Sequence, residues 1–114
     1  MAGRVIGVGG VFLKMPDRSK TSHWYQTVLG LEPNDYEGFD FKHADTAASF
    51  PQAARTVFAL FNDDADYFAP SEAPYMINLI VDDLDAVLRR ASAAGVEPVQ
   101  PSEDHVYGRF AWIL

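Results

Sequence analysis

Two stretches of the chain carry the same pattern of apolar and polar positions. Gly10–Asp17 (GVFLKMPD) and Met76–Asp83 (MINLIVDD) both read as β-type apolar runs that close on an aspartate. Behind each lies a helical period. After Asp17, Trp24, Tyr25, Val28 and Leu29 form an apolar stripe. After Asp83, Leu84, Val87, Leu88 and Ala91 do the same, with Asp85, Arg89 and Arg90 on the wet face. The two aspartates stand where a helix wants an N-cap, a carboxylate that accepts free backbone N–H groups. Gly30 and Gly95 stand where a left-handed exit ends a helix at low cost. The pattern predicts helices over Asp17–Leu29 and Asp83–Ala94.

The spacing turns this likeness into a repeat. Asp17 and Asp83 lie 66 positions apart and Gly30 and Gly95 lie 65 apart, so a single one-residue gap aligns the halves. Further strands are expected at residues 31–36, 39–43 and 55–61 in the first half, and at 96–100 and 107–114 in the second. Residues 62–74, with three aspartates and two prolines, read as the linker. The whole chain is thus expected to be one α+β domain over residues 1–114, with a first βαβββ unit at about 4–62 and a second unit at 75–114. Set against the first, the second unit is short by about 14 residues, and its last strand is expected to be missing from the sequence given. The principal alternative for the fold is a ferredoxin-like α+β dimer.

Composition narrows the function classes. An apolar share of 48% fits a folded core. No apolar run approaches the roughly 20 residues of a membrane span, and the opening residues read as a strand instead of a signal peptide. With no cysteine in the chain, disulfides, thiolate metal sites and cysteine nucleophiles are excluded, and a cytoplasmic location is the expectation. Nine basic residues against sixteen acidic ones give a net charge of −7. The basic residues are scattered, so no nucleic-acid partner is expected.

Chemical motifs are sparse. His23, His43 and His105 show no metal-ligand spacing, and Glu103-Asp104-His105 reads as a solvated loop. No serine sits in a nucleophile elbow. Gly7, Gly9 and Gly10 lack the strand–turn–helix setting of a phosphate loop and suit close strand packing or a bulge.

Certain residues resemble the vicinal-oxygen-chelate superfamily of glyoxalases, bleomycin-resistance proteins and ring-cleaving dioxygenases. In the first half these are GVGGVFLKMPD (7–17), Trp24-Tyr25 and Leu29-Gly30-Leu31. In the second they are NLIVDDLD (78–85), Ala94-Gly95-Val96 and YGRFAWI (107–113). The resemblance covers nearly the whole chain and implies two βαβββ units, in pseudo-twofold arrangement, whose sheets curl around a cleft. It also implies four metal-ligand positions. The first three fall on Gly10, on or near Ala59, and on Met76, and the fourth would follow Leu114. Glycine and alanine offer no ligand atom and a thioether suits soft copper, so no metal and no other cofactor is expected.

With Gly10 and Met76 facing the implied cleft, strand alternation turns Phe12 and Lys14 toward it from one strand and Asn78 and Ile80 from the other. The same alternation adds Val57, Ala59 and Phe61, with Arg55 at the rim. Tyr107 and Arg109 are candidates on the last strand, while Trp112 reads as core. Asn78, between Ile77 and Leu79, reads as a buried amide that must find a partner in protein or ligand. The function implied is a glyoxalase/bleomycin-resistance-like binder of a small organic molecule, as a homodimer and without metal. A metal-dependent lyase, isomerase or dioxygenase and a purely structural dimer module are the alternatives.

Overall fold

The computed structural model describes residues 3–114, a small α+β arrangement of three helices and one two-stranded antiparallel sheet. The elements are α1 (Arg18–Leu29), α2 (His43–Ser49), α3 (Leu84–Ala93), β1 (Glu103–His105) and β2 (Gly108–Phe110).

The two long helices begin and end as the aspartates and glycines dictate. Asp17 stays extended (φ −141°, ψ 98°) and its carboxylate accepts the Lys20 N–H at 3.1 Å. Asp83 repeats the device (φ −145°, ψ 97°) and accepts from the Ala86 N–H at 3.1 Å. Each carboxylate satisfies a donor that the helix itself leaves orphaned. At the other end Gly30 takes φ 72° and its N–H donates to Gln26 O at 3.0 Å. Gly95 takes φ 87°; its N–H donates to Ser92 O and the Val96 N–H donates to Ala91 O, both at 2.9 Å. That pair of bonds is a Schellman closure.

α1 and α3 pack on each other. Their buried residues are Val28 (3% exposed) and Ser22 on α1 and the fully buried Ala91 on α3. The small side chain at position 91 allows close approach of the helix axes. Ser22 is satisfied within its own helix, its hydroxyl accepting from Gln26 Nε2 at 3.3 Å.

The segment after α1 departs from the expected strands at 31–36 and 39–43. Asn34 Oδ1 accepts the backbone N–H groups of Tyr36 (2.9 Å) and Gly38 (3.0 Å), which closes a tight turn. Glu37 sits in that turn at φ 64°. Its carboxylate accepts from the Ser19 hydroxyl at 2.8 Å and from Arg18 Nε at 3.2 Å, tying the turn to the start of α1. His43, expected to end a strand, opens α2. This short Ala-containing helix (HADTAAS) has no side-chain cap and no buried residue.

Among the described residues, the runs at 10–16, 55–61, 76–81 and 96–100 form no strand ladder. A strand exists only through its partner's N–H and C=O groups, and alternation along one segment does not specify that partner. One backbone bond, Val99 N–H to Trp112 O at 2.9 Å, links 96–100 to the end of the chain. The strand expected over 107–114 contracts to β2, and the loop expected at 103–105 is β1. Phe12 (94% exposed), Val57, Phe58 and Leu60 face solvent. The radius of gyration, 15.6 Å, accordingly exceeds the roughly 13 Å of a tightly packed chain this long. No helix among the described residues is long and apolar enough to cross a membrane.

Candidate functional site

The hairpin β1–β2 has two faces of opposite chemistry, set by the period of two. Its register pairs Glu103 with Phe110, Asp104 with Arg109 and His105 with Gly108. Val106 and Tyr107 make the tip, and Gly108 absorbs a positive dihedral (φ 147°) at the exit.

One face is ionic. Arg109 Nε donates to Asp104 at 2.9 Å and its terminal nitrogens reach Asp85, in the first turn of α3, at 3.4 Å. The bonds to Asp85 and then Asp104 favour the charged guanidinium still further. Arg109 thereby fastens the hairpin to α3.

The other face is aromatic. Tyr107 folds back from the tip and stacks parallel on His105, centroids 5.0 Å apart. Phe110 lies 5.7 Å from Tyr107 and 5.9 Å from His105. Glu103 Oε1 meets His105 Nε2 at 3.0 Å. A second aromatic group, Phe61, Tyr67 and Phe68, lies at and just after the start of the 62–74 segment. Tyr67 stacks on Phe61 (5.6 Å, 7°), and Phe68 meets Phe61 edge-on at 5.1 Å. Between the groups lies a cleft of about 200 Å³ lined by Tyr67, Glu103, His105, Tyr107, Phe110 and Trp112. Offset and edge contacts of this kind hold ring faces in fixed directions.

A second cleft of about 330 Å³ lies among the helices. Leu29, Phe50, Ile80, Val81 and Val87 give it an apolar floor, with Asp45, Thr46, Ser49 and Asp82 around them.

The residues expected at the site divide sharply. Tyr107 lines the aromatic cleft; Phe61 does not line it but stacks on Tyr67, which does. Arg109 occupies the opposite face of the hairpin. Phe12, Lys14, Arg55, Val57, Ala59, Met76 and Asn78 line neither cleft. Asn78 is exposed, so the buried amide expected there is corrected: water can satisfy it. Ile80 lines the helical cleft. Trp112, expected as core, is half-buried and contributes to the aromatic wall. Tyr67, Glu103, His105 and Phe110 line the cleft without being among the residues the sequence points to. The signal for the last three was the alternation of EDHVYGRF about a tight turn, which puts Glu103, His105 and Phe110 on one side. Tyr67 had no such signal, because its position depends on how the 62–74 segment folds back.

The positions where the resemblance implies metal ligands do not suit a divalent ion. Gly10 and Ala59 carry no ligand atom, and a thioether at Met76 is a poor donor for zinc or manganese. Among the described residues no group of three or more histidine, cysteine, aspartate or glutamate side chains stands within reach of one ion.

The helical pair, the short helix α2 and the hairpin fastened to α3 make a small α+β arrangement consistent with a glyoxalase-type fold. The family model of the Glyoxalase/Bleomycin resistance protein/Dioxygenase superfamily matches residues 8–113, and the chain belongs to that superfamily. No curated protein and no solved structure is significantly similar to it.

Proposed function

We propose that this member of the superfamily binds a small organic molecule in the aromatic cleft, without the divalent metal of its catalytic relatives. The convergence of Tyr67, Tyr107, Phe110 and Trp112 on one space carries this reading. Exposed aromatic faces next to a few polar groups are what a small-molecule site requires. At about 200 Å³ the cleft lies below the roughly 300–1,000 Å³ of drug-sized sites, which limits the ligand to a handful of heavy atoms.

The finer architecture belongs to the same proposal: two βαβββ units around a cleft, associating as a homodimer. Its support is the twinned cap-and-exit design of α1 and α3, together with exposed apolar segments that a second copy would cover. Light scattering at high micromolar concentration is expected to give the mass of a dimer.

A small-molecule thermal-shift screen tests the binding reading. A true ligand at a hundred times its Kd stabilises the fold by about 2.7 kcal/mol, and Trp112→Ala is expected to abolish the shift while leaving α1 and α3 folded. A shift that persists in Trp112→Ala would move the site elsewhere. Metal analysis after dialysis against zinc, manganese, nickel or iron is expected to show no stoichiometric metal. Retention of one equivalent would restore the metal-dependent lyase, isomerase or dioxygenase reading.

A further inference from the structure

Building on the small-molecule reading of this cleft, we infer that its ligand is an organic cation, a methylated or protonated ammonium group of few atoms. Four aromatic side chains, Tyr67, Tyr107, Phe110 and Trp112, meet at a space of about 200 Å³, and the one acidic side chain on its wall is Glu103. Aromatic ring faces carry the negative part of the ring quadrupole, and a cation that reaches them is attracted while its methyl groups also gain apolar contact. A neutral ligand would gain the contact without the electrostatic attraction. An anion would meet both ring faces and a carboxylate.

Two further features favour positive charge. Arg109, on the same hairpin, is kept on the other face and held by Asp85 and Asp104, so no guanidinium competes for the rings. The chain as a whole carries a net charge of −7, which draws cations toward its surface. His105, stacked on Tyr107, also lines the cleft and engages the Glu103 carboxylate at 3.0 Å.

The probes are choline and tetramethylammonium, set against 3,3-dimethylbutan-1-ol, which has the shape of choline with carbon in place of nitrogen. Isothermal titration of the full chain is expected to show choline binding about ten-fold more tightly than the neutral alcohol. Tyr107→Leu keeps apolar bulk at an exposed hairpin tip and removes a ring face. It is expected to lower choline affinity several-fold while leaving the alcohol nearly unchanged. Glu103→Gln is expected to weaken both cations and spare the alcohol. Equal or tighter binding of the alcohol overturns the cation assignment and leaves the small-molecule reading standing. Failure of both cations to bind at about 10 mM, while neutral compounds from the thermal-shift screen do bind, has the same meaning. If no compound of any charge shifts the protein, both readings fail together.

Discussion

α1 and α3 share one design and differ in where their end charges come from. α3 carries its own: Asp85 in its first turn and Arg90 in its last, each opposite in sign to the helix end it occupies. α1 has neither an acidic residue in its first turn nor a basic one in its last. It borrows both. Glu37, from the turn that follows α1, bonds Ser19 and Arg18 at the N-terminal end. The Arg90 guanidinium of α3 lies against Gly30 at the C-terminal end, so a Cβ built on Gly30 would come within 2.6 Å of Arg90 Cζ. A Cβ on Gly95 would meet nothing within 4 Å. α3 is specified locally, whereas α1 is completed by its neighbours.

The largest effect should come from the contact that joins the two. Ala91 is fully buried, and Ala91→Leu forces new methylenes into a closed space. Urea denaturation is expected to show a loss of about 2–3 kcal/mol. A neutral result would mean that α1 and α3 do not depend on each other.

Next comes the pair of glycine exits. Alanine at a positive φ costs about 1–2 kcal/mol, and Gly95→Ala should fall at the low end, near 1 kcal/mol. Gly30→Ala should cost about 2 kcal/mol, because it also displaces Arg90 from the end of α1. Repeating Gly30→Ala in an Arg90→Ala background should bring its cost down to that of Gly95→Ala. Equal costs in the wild-type background would erase the proposed asymmetry.

The caps should show the symmetry instead. Asp17→Ala and Asp83→Ala each remove one carboxylate-to-N–H bond of 3.1 Å. Each is expected to cost about 1 kcal/mol, read from Tm and helical circular dichroism. A cost at Asp17 clearly above that at Asp83 would show that α1 depends on its cap more than α3 does.

The smallest effect concerns alkaline pH and falls on α1 alone. Burial, and next to it the charge of Tyr75, hold the Tyr25 phenol above its ordinary value of 10.0. A group whose folded pKa is raised contributes stability that is complete below the unfolded value. That contribution is lost as pH rises from about 10 through the folded value. Stability is therefore expected to decline above pH 10, and Tyr25→Phe should flatten that decline. An unchanged alkaline limb in Tyr25→Phe would remove Tyr25 as its cause. α3 contains no tyrosine, so no matching effect arises there.

The cleft shows where reading residues in order stops. Tyr107 and Arg109 are both candidates by their place on the last segment, and only the Tyr107 ring lines the site. Charge dominates the stretch that holds Glu103 and His105, so in sequence it reads as a solvated loop. Paired across a two-residue tip, the same residues share a face with Phe110. α2 carries no local signal either: its sequence has no apolar stripe, and its cap lacks a side-chain bond.

By itself the sequence determined the two long helices, their limits at Asp17, Leu29, Asp83 and the Gly95 exit, and the superfamily. These depend on chemistry within a few residues: a carboxylate three positions from a free N–H, or a glycine where φ turns positive. Only the tertiary structure decided which charges complete α1, which apolar segments stay open and which rings meet at the cleft. Each of those needs two segments distant in the chain to arrive at one place, and neither segment alone encodes where the other will stand.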